Sequence, residues 1–140
     1  MGRILLDTNV LIRYFKDDEP FANAIEHAET VIIHPVVYAE YVSGLDETTK
    51  GGKILRKQIE DFLDAPAVAL GTITTVTSNY YARIFRYLKN TGKMIPQNDI
   101  WLAASAFENG YELATHDIHF RNIPMLNLKQ IESIGDAPLR

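Results

Sequence analysis

The sequence predicts an α/β fold, a three-layer sandwich whose central sheet has four or five mostly parallel strands. Short apolar runs alternate with amphipathic stretches of helical period, the pattern of successive strand–helix–strand units. No internal repeat, low-complexity tract or linker interrupts that alternation. A length of 140 residues suits one domain and is too short for two well-buried ones, so residues 1–140 are expected to form a single domain.

Arg3–Asp7 reads as the first strand, followed by short helices over Asn9–Phe15 and Pro20–Ala28 with Asp17, Asp18 and Glu19 between them. Thr30–Ile33 is β-branched and reads as a strand. His34-Pro35 ends it, because the residue before proline avoids helical geometry while proline suits a first helical turn. Helices are expected over Val36–Leu45 and over Lys53–Leu63, the latter with Ile54, Ile59, Phe62 and Leu63 on its apolar side. Ala67–Leu70 is a short strand. Thr74–Asn90 is a longer amphipathic helix carrying Tyr80, Tyr81, Ile84, Phe85 and Leu88, with Gly92 as its stop. Pro96–Asn109 is the clearest helix, since Ile100, Ala103, Ala104 and Phe107 fall at i, i+3, i+4 and i+7. Gly110 terminates it; Tyr111–Thr115 follows as a strand and Met125–Leu128 as a weaker one.

With 46% hydrophobic and 23% charged residues the chain is an ordinary globular sequence, which sets disorder aside for all but the ends. The absence of cysteine excludes disulfides, a thiolate nucleophile and cysteine-bound zinc, and suits a reducing cytoplasm. Ile4, Leu5 and Leu6 open a core segment at once, so no secretory signal is expected. No apolar run reaches the roughly 18–20 residues that a membrane span needs. The net charge of −4 is unevenly spread: the segment from Lys50 to Lys93 carries +5, leaving −9 for the remainder. Such asymmetry fits one surface for phosphates and another for metal-binding acids, although solvated helix faces would look the same.

Four carboxylates stand in informative places. Asp7 follows Ile4-Leu5-Leu6, and Asp117 follows Leu113-Ala114-Thr115, so both sit where a buried strand should emerge. Open parallel sheets form their sites beyond the carboxyl ends of strands, which would bring the two acids to one edge. Asp99 lies in the first turn of its helix, with Asn98 as the expected cap, where the helix dipole favours negative charge. Glu40 lies within the apolar run Val36–Val42, which holds no Lys or Arg to compensate it. Converging acids repel, and a hard divalent cation with oxygen ligands relieves that repulsion. With no cysteine, and with His34, His116 and His119 scattered at strand exits, this inventory favours Mg²⁺ or Mn²⁺ over zinc. Plainer readings stay open. Asp7 would serve equally as a helix cap, Asp99 as a helix-start acid, Glu40 as a solvated face and Asp117 as a turn residue. On residue physics alone the chain is a metal-binding α/β domain.

Four segments together resemble a known family. They are Ile4-Leu5-Leu6-Asp7-Thr8-Asn9-Val10-Leu11-Ile12, the Glu40 helix, Ile95-Pro96-Gln97-Asn98-Asp99-Ile100-Trp101-Leu102-Ala103-Ala104, and Leu113-Ala114-Thr115-His116-Asp117-Ile118-His119-Phe120. In this order and spacing, over nearly the full length, the chain resembles the PIN-domain ribonucleases and, among them, the VapC toxins of toxin–antitoxin pairs. The resemblance implies a PIN-like sheet and a catalytic, metal-binding quartet of Asp7, Glu40, Asp99 and Asp117. Asn9 and Thr115 would be polar helpers. It further implies Mg²⁺- or Mn²⁺-dependent hydrolysis of RNA, a homodimer, and a VapB-like antitoxin whose tail blocks the site. Some relatives carry a further acid after the fourth one; here that neighbourhood holds His119.

The expected chemistry is direct in-line hydrolysis without a covalent enzyme intermediate, with the acids holding one or two divalent ions. Lys and Arg of the two middle helices would hold flanking phosphates, and Tyr80, Tyr81 and Tyr87 are candidates for stacking on unpaired bases. A non-catalytic RNA- or partner-binding module of the same fold is the alternative. An aspartyl-phosphate enzyme is disfavoured, because Asn9 stands where a second Asp is wanted and Pro96 to Phe120 contains no Lys.

Overall fold

The computed structural model describes residues 2–134. Five strands form one sheet: β1 (Arg3–Leu6), β2 (Thr30–Ile33), β3 (Val68–Leu70), β4 (Glu112–Thr115) and β5 (Leu128–Gln130). Their order is β3-β2-β1-β4-β5 and every pairing is parallel. Leu5 at the centre pairs with Ile32 on one side and Leu113 on the other. Parallel strands are covered on both faces, which is why Ile4, Leu5, Leu6 and Val31, Ile32, Ile33 are buried as unbroken runs rather than alternately.

Six helices connect them: α1 (Thr8–Tyr14), α2 (Glu19–Glu26), α3 (Pro35–Ser43), α4 (Lys50–Leu63), α5 (Thr75–Thr91) and α6 (Gln97–Asn109). From β1 the chain steps outward through β2 to β3, then crosses back to β4 on the other side of β1. Right-handed crossovers therefore put α1–α4 on one face and α5–α6 on the other. Ring contacts agree. Phe15, the C-cap of α1, lies 5.7 Å from Tyr41 of α3 and 5.6 Å from Phe62 of α4, while Tyr81 of α5 packs 4.3 Å from Trp101 of α6.

Local chemistry sets the helix ends. Thr74 caps α5 in a capping box with Thr77, whose buried hydroxyl also donates to Glu108 of α6 at 2.6 Å. Gly92 and Gly110 end α5 and α6 in the left-handed conformation that only glycine adopts without strain. The early part of α4 depends on close approach instead. Thr49 caps it through the Gly52 amide, and a Cβ on Gly52 would collide with the backbone carbonyl of Asp46. Gly52→Ala is therefore expected to destabilise the protein by about 1–3 kcal/mol. Gly51→Ala, whose Cβ would meet nothing within 4 Å, should be neutral or stabilising by roughly 0.5–1 kcal/mol. Paired denaturation curves check both, and equal midpoints would refute the steric account.

Several expectations need correction. The last strand is Leu128–Gln130 rather than Met125–Leu128, because Met125 sits at φ 66°, outside extended geometry. Ile54 is 58% exposed: the inward side of α4 runs through the buried Gly52 and Ile59 and the half-buried Leu55 and Phe62, and Ile54 falls beside it. The apolar α3 buries Val37 and Tyr41 and packs Tyr38 and Val42 on the core. Asn98 does not cap α6; that position is Pro96, with no side-chain cap bond.

Candidate active site

The crevice between the carboxyl ends of β1 and β4 is where the topology turns: β1 leads on to β2 on one side, β4 to β5 on the other. Open α/β sheets place ligands at such switch points. Asp7 stands directly after β1 and Asp117 two residues after β4. Asp99 enters from the first turn of α6, and Glu40 from α3. All four line one depression of about 370 Å³, with Thr8, Asn9, Ile12, Pro96, Asn98 and His119. The sequence placed Asp7 and Asp117 at one edge; the fold brings Asp99 and Glu40 into the same cleft.

Asp7 is 5% exposed and fully engaged. Its Oδ1 accepts from the Thr8 amide at 2.8 Å, while Oδ2 accepts from Asn9 Nδ2 at 3.0 Å and from Thr115 Oγ1 at 2.8 Å. Burial pushes its carboxyl above the usual range. The Thr115 and Thr8 hydrogen bonds pull it back, and the charges of Asp117 and Glu40 push it up. Thr115, itself completely buried, also accepts from the Asp117 amide at 2.9 Å, so one hydroxyl ties two acids from adjacent strands together. Asn9 makes a second tie, its Oδ1 accepting from the His116 amide at 3.0 Å. Thr115→Val keeps the shape but strands the Asp117 amide. Its expected cost is about 1–3 kcal/mol by chemical denaturation; an unchanged midpoint would show that the hydroxyl carries no such tie.

Asp99 is the most perturbed of the four. Burial first, then the charges of Asp7 and Asp117, raise its carboxyl to about 6 against the opposing effect of His119. Glu40 differs from expectation. It is exposed on the cleft rim rather than buried in its helix, and its Oε1 accepts from Thr8 Oγ1 at 3.0 Å. Its fit to a metal therefore rests on its position beside the other acids and not on a burial cost. Thr8 was missed by sequence reasoning, its only signal being a hydroxyl next to Asp7 in a first helical turn.

The histidines separate. His34 is fully buried at the end of β2, where its Nδ1 accepts from the Val36 amide at 3.1 Å and caps α3. His116 turns away, its Nδ1 2.8 Å from the Ile131 carbonyl oxygen and its ring against Phe21. His119 enters the cleft. Its Nδ1 lies 3.1 Å from Asp117 Oδ2 and 3.6 Å from Asp99 Oδ2, and its amide donates to Asp117 Oδ1 at 3.0 Å. Of the basic residues, Arg56 pairs with Glu47 and Glu60 and Lys57 with Asp61. None of the residues lining the cleft is Lys or Arg.

An all-parallel α/β domain with four carboxylates gathered at its switch point defines the class. The PIN-domain family model matches residues 4–126, and the chain belongs to that family. Among solved structures it is similar to VapBC2 from Rickettsia felis bound to a DNA fragment from its promoter, at 24% identity over 93% of this chain and 99% of that one, with a TM-score of 0.81. It is similar to VapBC-1 from nontypeable Haemophilus influenzae at 22% identity, covering 91% and 97% of the two chains, with a TM-score of 0.77. It is also similar to FitAcB from Neisseria gonorrhoeae at 27% identity, covering 85% and 91%, with a TM-score of 0.72. No curated protein matches. No helix among the described residues is long and apolar enough to cross a membrane.

Proposed function

We propose that this chain is a divalent-metal-dependent endoribonuclease hydrolysing RNA phosphodiester bonds, and that it is the toxin of a type II toxin–antitoxin pair acting in the cytoplasm. The observation that carries the proposal is the meeting of Asp7, Glu40, Asp99 and Asp117 in one cleft lined by no Lys or Arg. The donor set fits Mg²⁺ or Mn²⁺: hard carboxylate oxygens, no sulfur, and an Asp99 whose burial, together with the charges of Asp7 and Asp117, raises its carboxyl to about 6.

Asp7, Asp99 and Asp117 would hold the ion, with Glu40 assisting. A bound divalent ion supplies an activated water and stabilises charge on the scissile phosphate. The chain's own residues do the rest. Thr115, Asn9 and the Thr8 amide fix the Asp7 carboxylate, so its orientation costs nothing at the moment of reaction. Asp117 is fixed by the His119 amide. Glu40, at the solvent-facing rim and held by Thr8, is placed to orient or deprotonate a water arriving from bulk. Of the three tyrosines, Tyr81 is committed to Trp101, whereas Tyr87 is 42% exposed and available to a base.

The similarity to toxin–antitoxin complexes supports a VapB-like antitoxin as partner, and the family resemblance supports a homodimer. Incubation of RNA with the purified protein tests the central reading. Fragments are expected with Mn²⁺ or Mg²⁺ and none with a chelator. Equal cutting in the chelator, or no cutting of any RNA under either ion, would overturn it.

A further inference from the structure

The donor set of the cleft is not made of oxygen alone. Asp99, Asp117 and His119 each offer one ligand atom, and the three atoms lie within 4.8 Å of one another. The short 3₁₀ turn His119–Asn122 produces this arrangement. At its start, the His119 amide donates to Asp117 Oδ1, which turns Oδ2 of the same carboxylate towards the His119 ring. Asp99 reaches the same point from α6, on a different part of the chain.

We propose that His119 is a nitrogen ligand, through Nδ1, to the ion held by Asp99 and Asp117, and that it biases the site towards Mn²⁺ over Mg²⁺. The inference rests on the metal-site reading above and adds a residue and a selectivity to it. Neighbouring ligand atoms around an octahedral ion with bonds of about 2.1 Å lie ~3 Å apart. The separations of 3.1 and 3.6 Å from Nδ1 to the two carboxylate oxygens are close to that spacing. The imidazole is 48% exposed, so an ion can reach Nδ1 from solvent without displacing core side chains. Mg²⁺ prefers oxygen ligands and retained waters, whereas first-row transition ions gain from an imidazole nitrogen. A histidine in this place therefore favours the transition ion.

The test is pulsed electron paramagnetic resonance on the Mn²⁺-loaded protein, with calorimetric titrations of Mn²⁺ and of Mg²⁺. Wild type should show a ¹⁴N coupling from a directly bound imidazole. The coupling should vanish in His119→Ala and persist in His116→Ala, whose ring points to the Ile131 carbonyl. His119→Ala should weaken Mn²⁺ binding about tenfold or more and change Mg²⁺ binding by no more than roughly threefold. His119→Asp should bind Mg²⁺ at least as tightly as wild type and show no nitrogen signal. If Mn²⁺ binds and is lost in Asp99→Asn, yet no coupling disappears with His119→Ala, the nitrogen ligand is refuted and the four-acid reading stands. If wild type binds neither ion, both readings fall.

Discussion

Asp99→Asn is expected to cut RNA cleavage by roughly three orders of magnitude while leaving a folded protein. A metal ion contributes several kcal/mol to a phosphoryl-transfer barrier, and each 1.36 kcal/mol is about tenfold in rate. Removing the charge of a central carboxylate forfeits most of that. The substitution should be structurally mild, because Asp99 carries strain rather than relieving it: burial and its neighbours Asp7 and Asp117 already push its carboxyl to about 6. Asp7→Asn should abolish cleavage as thoroughly, but at a cost in stability. Both Asp7 oxygens accept hydrogen bonds, from the Thr8 amide on one side and from Asn9 and Thr115 on the other. An amide nitrogen in either place would face a donor. Measured rates on a defined RNA, with circular dichroism to verify folding, check the pair. Undiminished cutting by both folded variants would remove the catalytic assignment.

The coupling of ion, proton and stability should be nearly as large. Between the ordinary carboxylate value of 3.8 and about 6, the native state holds a proton on Asp99 that the unfolded chain has released. Native protein then binds more protons, so stability falls as pH rises through that window in the absence of divalent ions. His34 acts with the opposite sign. Its burial lowers it from 6.5 to about 4, so stability falls as pH drops through that range and the unfolded chain takes up the proton. Asp99→Asn separates the two, since it should erase the first slope and leave the second. It should also be more stable than wild type at pH 7 in a chelator. An ion that binds the deprotonated cluster reverses the Asp99 effect: at a hundred times its dissociation constant it adds about 2.7 kcal/mol. Wild type at pH 7 should accordingly melt roughly 10 °C higher with Mn²⁺, and Asp99→Asn should barely respond. An equal response in both proteins would separate Asp99 from the metal.

A site that destabilises its own fold without a ligand is what a preorganised catalytic cleft requires, and it explains why local sequence rules fail there. Asp99 is a good helix-start acid by its position in α6, and its burial, with Asp7 and Asp117 brought beside it, makes it an expensive one.

What the sequence determined by itself follows from local and periodic rules. Alternating apolar runs specify parallel strands buried on both faces, and Ile100, Ala103, Ala104 and Phe107 specify the core side of α6. Proline and glycine mark the turns, and Asp7, Asp99 and Asp117 stand where a strand or helix begins or ends. What only the tertiary structure decided depends on distance between elements far apart in the chain. Glu40 proved to be a rim residue because the core side of α3 is filled by Val37 and Tyr41. Asn98 lost the cap of α6 to Pro96 and faces the cleft. Thr115 became the tie between Asp7 and Asp117, and His119 rather than His116 turned towards the acids. A local pattern fixes which way a strand or helix presents its side chains, but burial and charge coupling arise from whichever groups the crossovers bring within a few ångströms, and no window of sequence contains both partners.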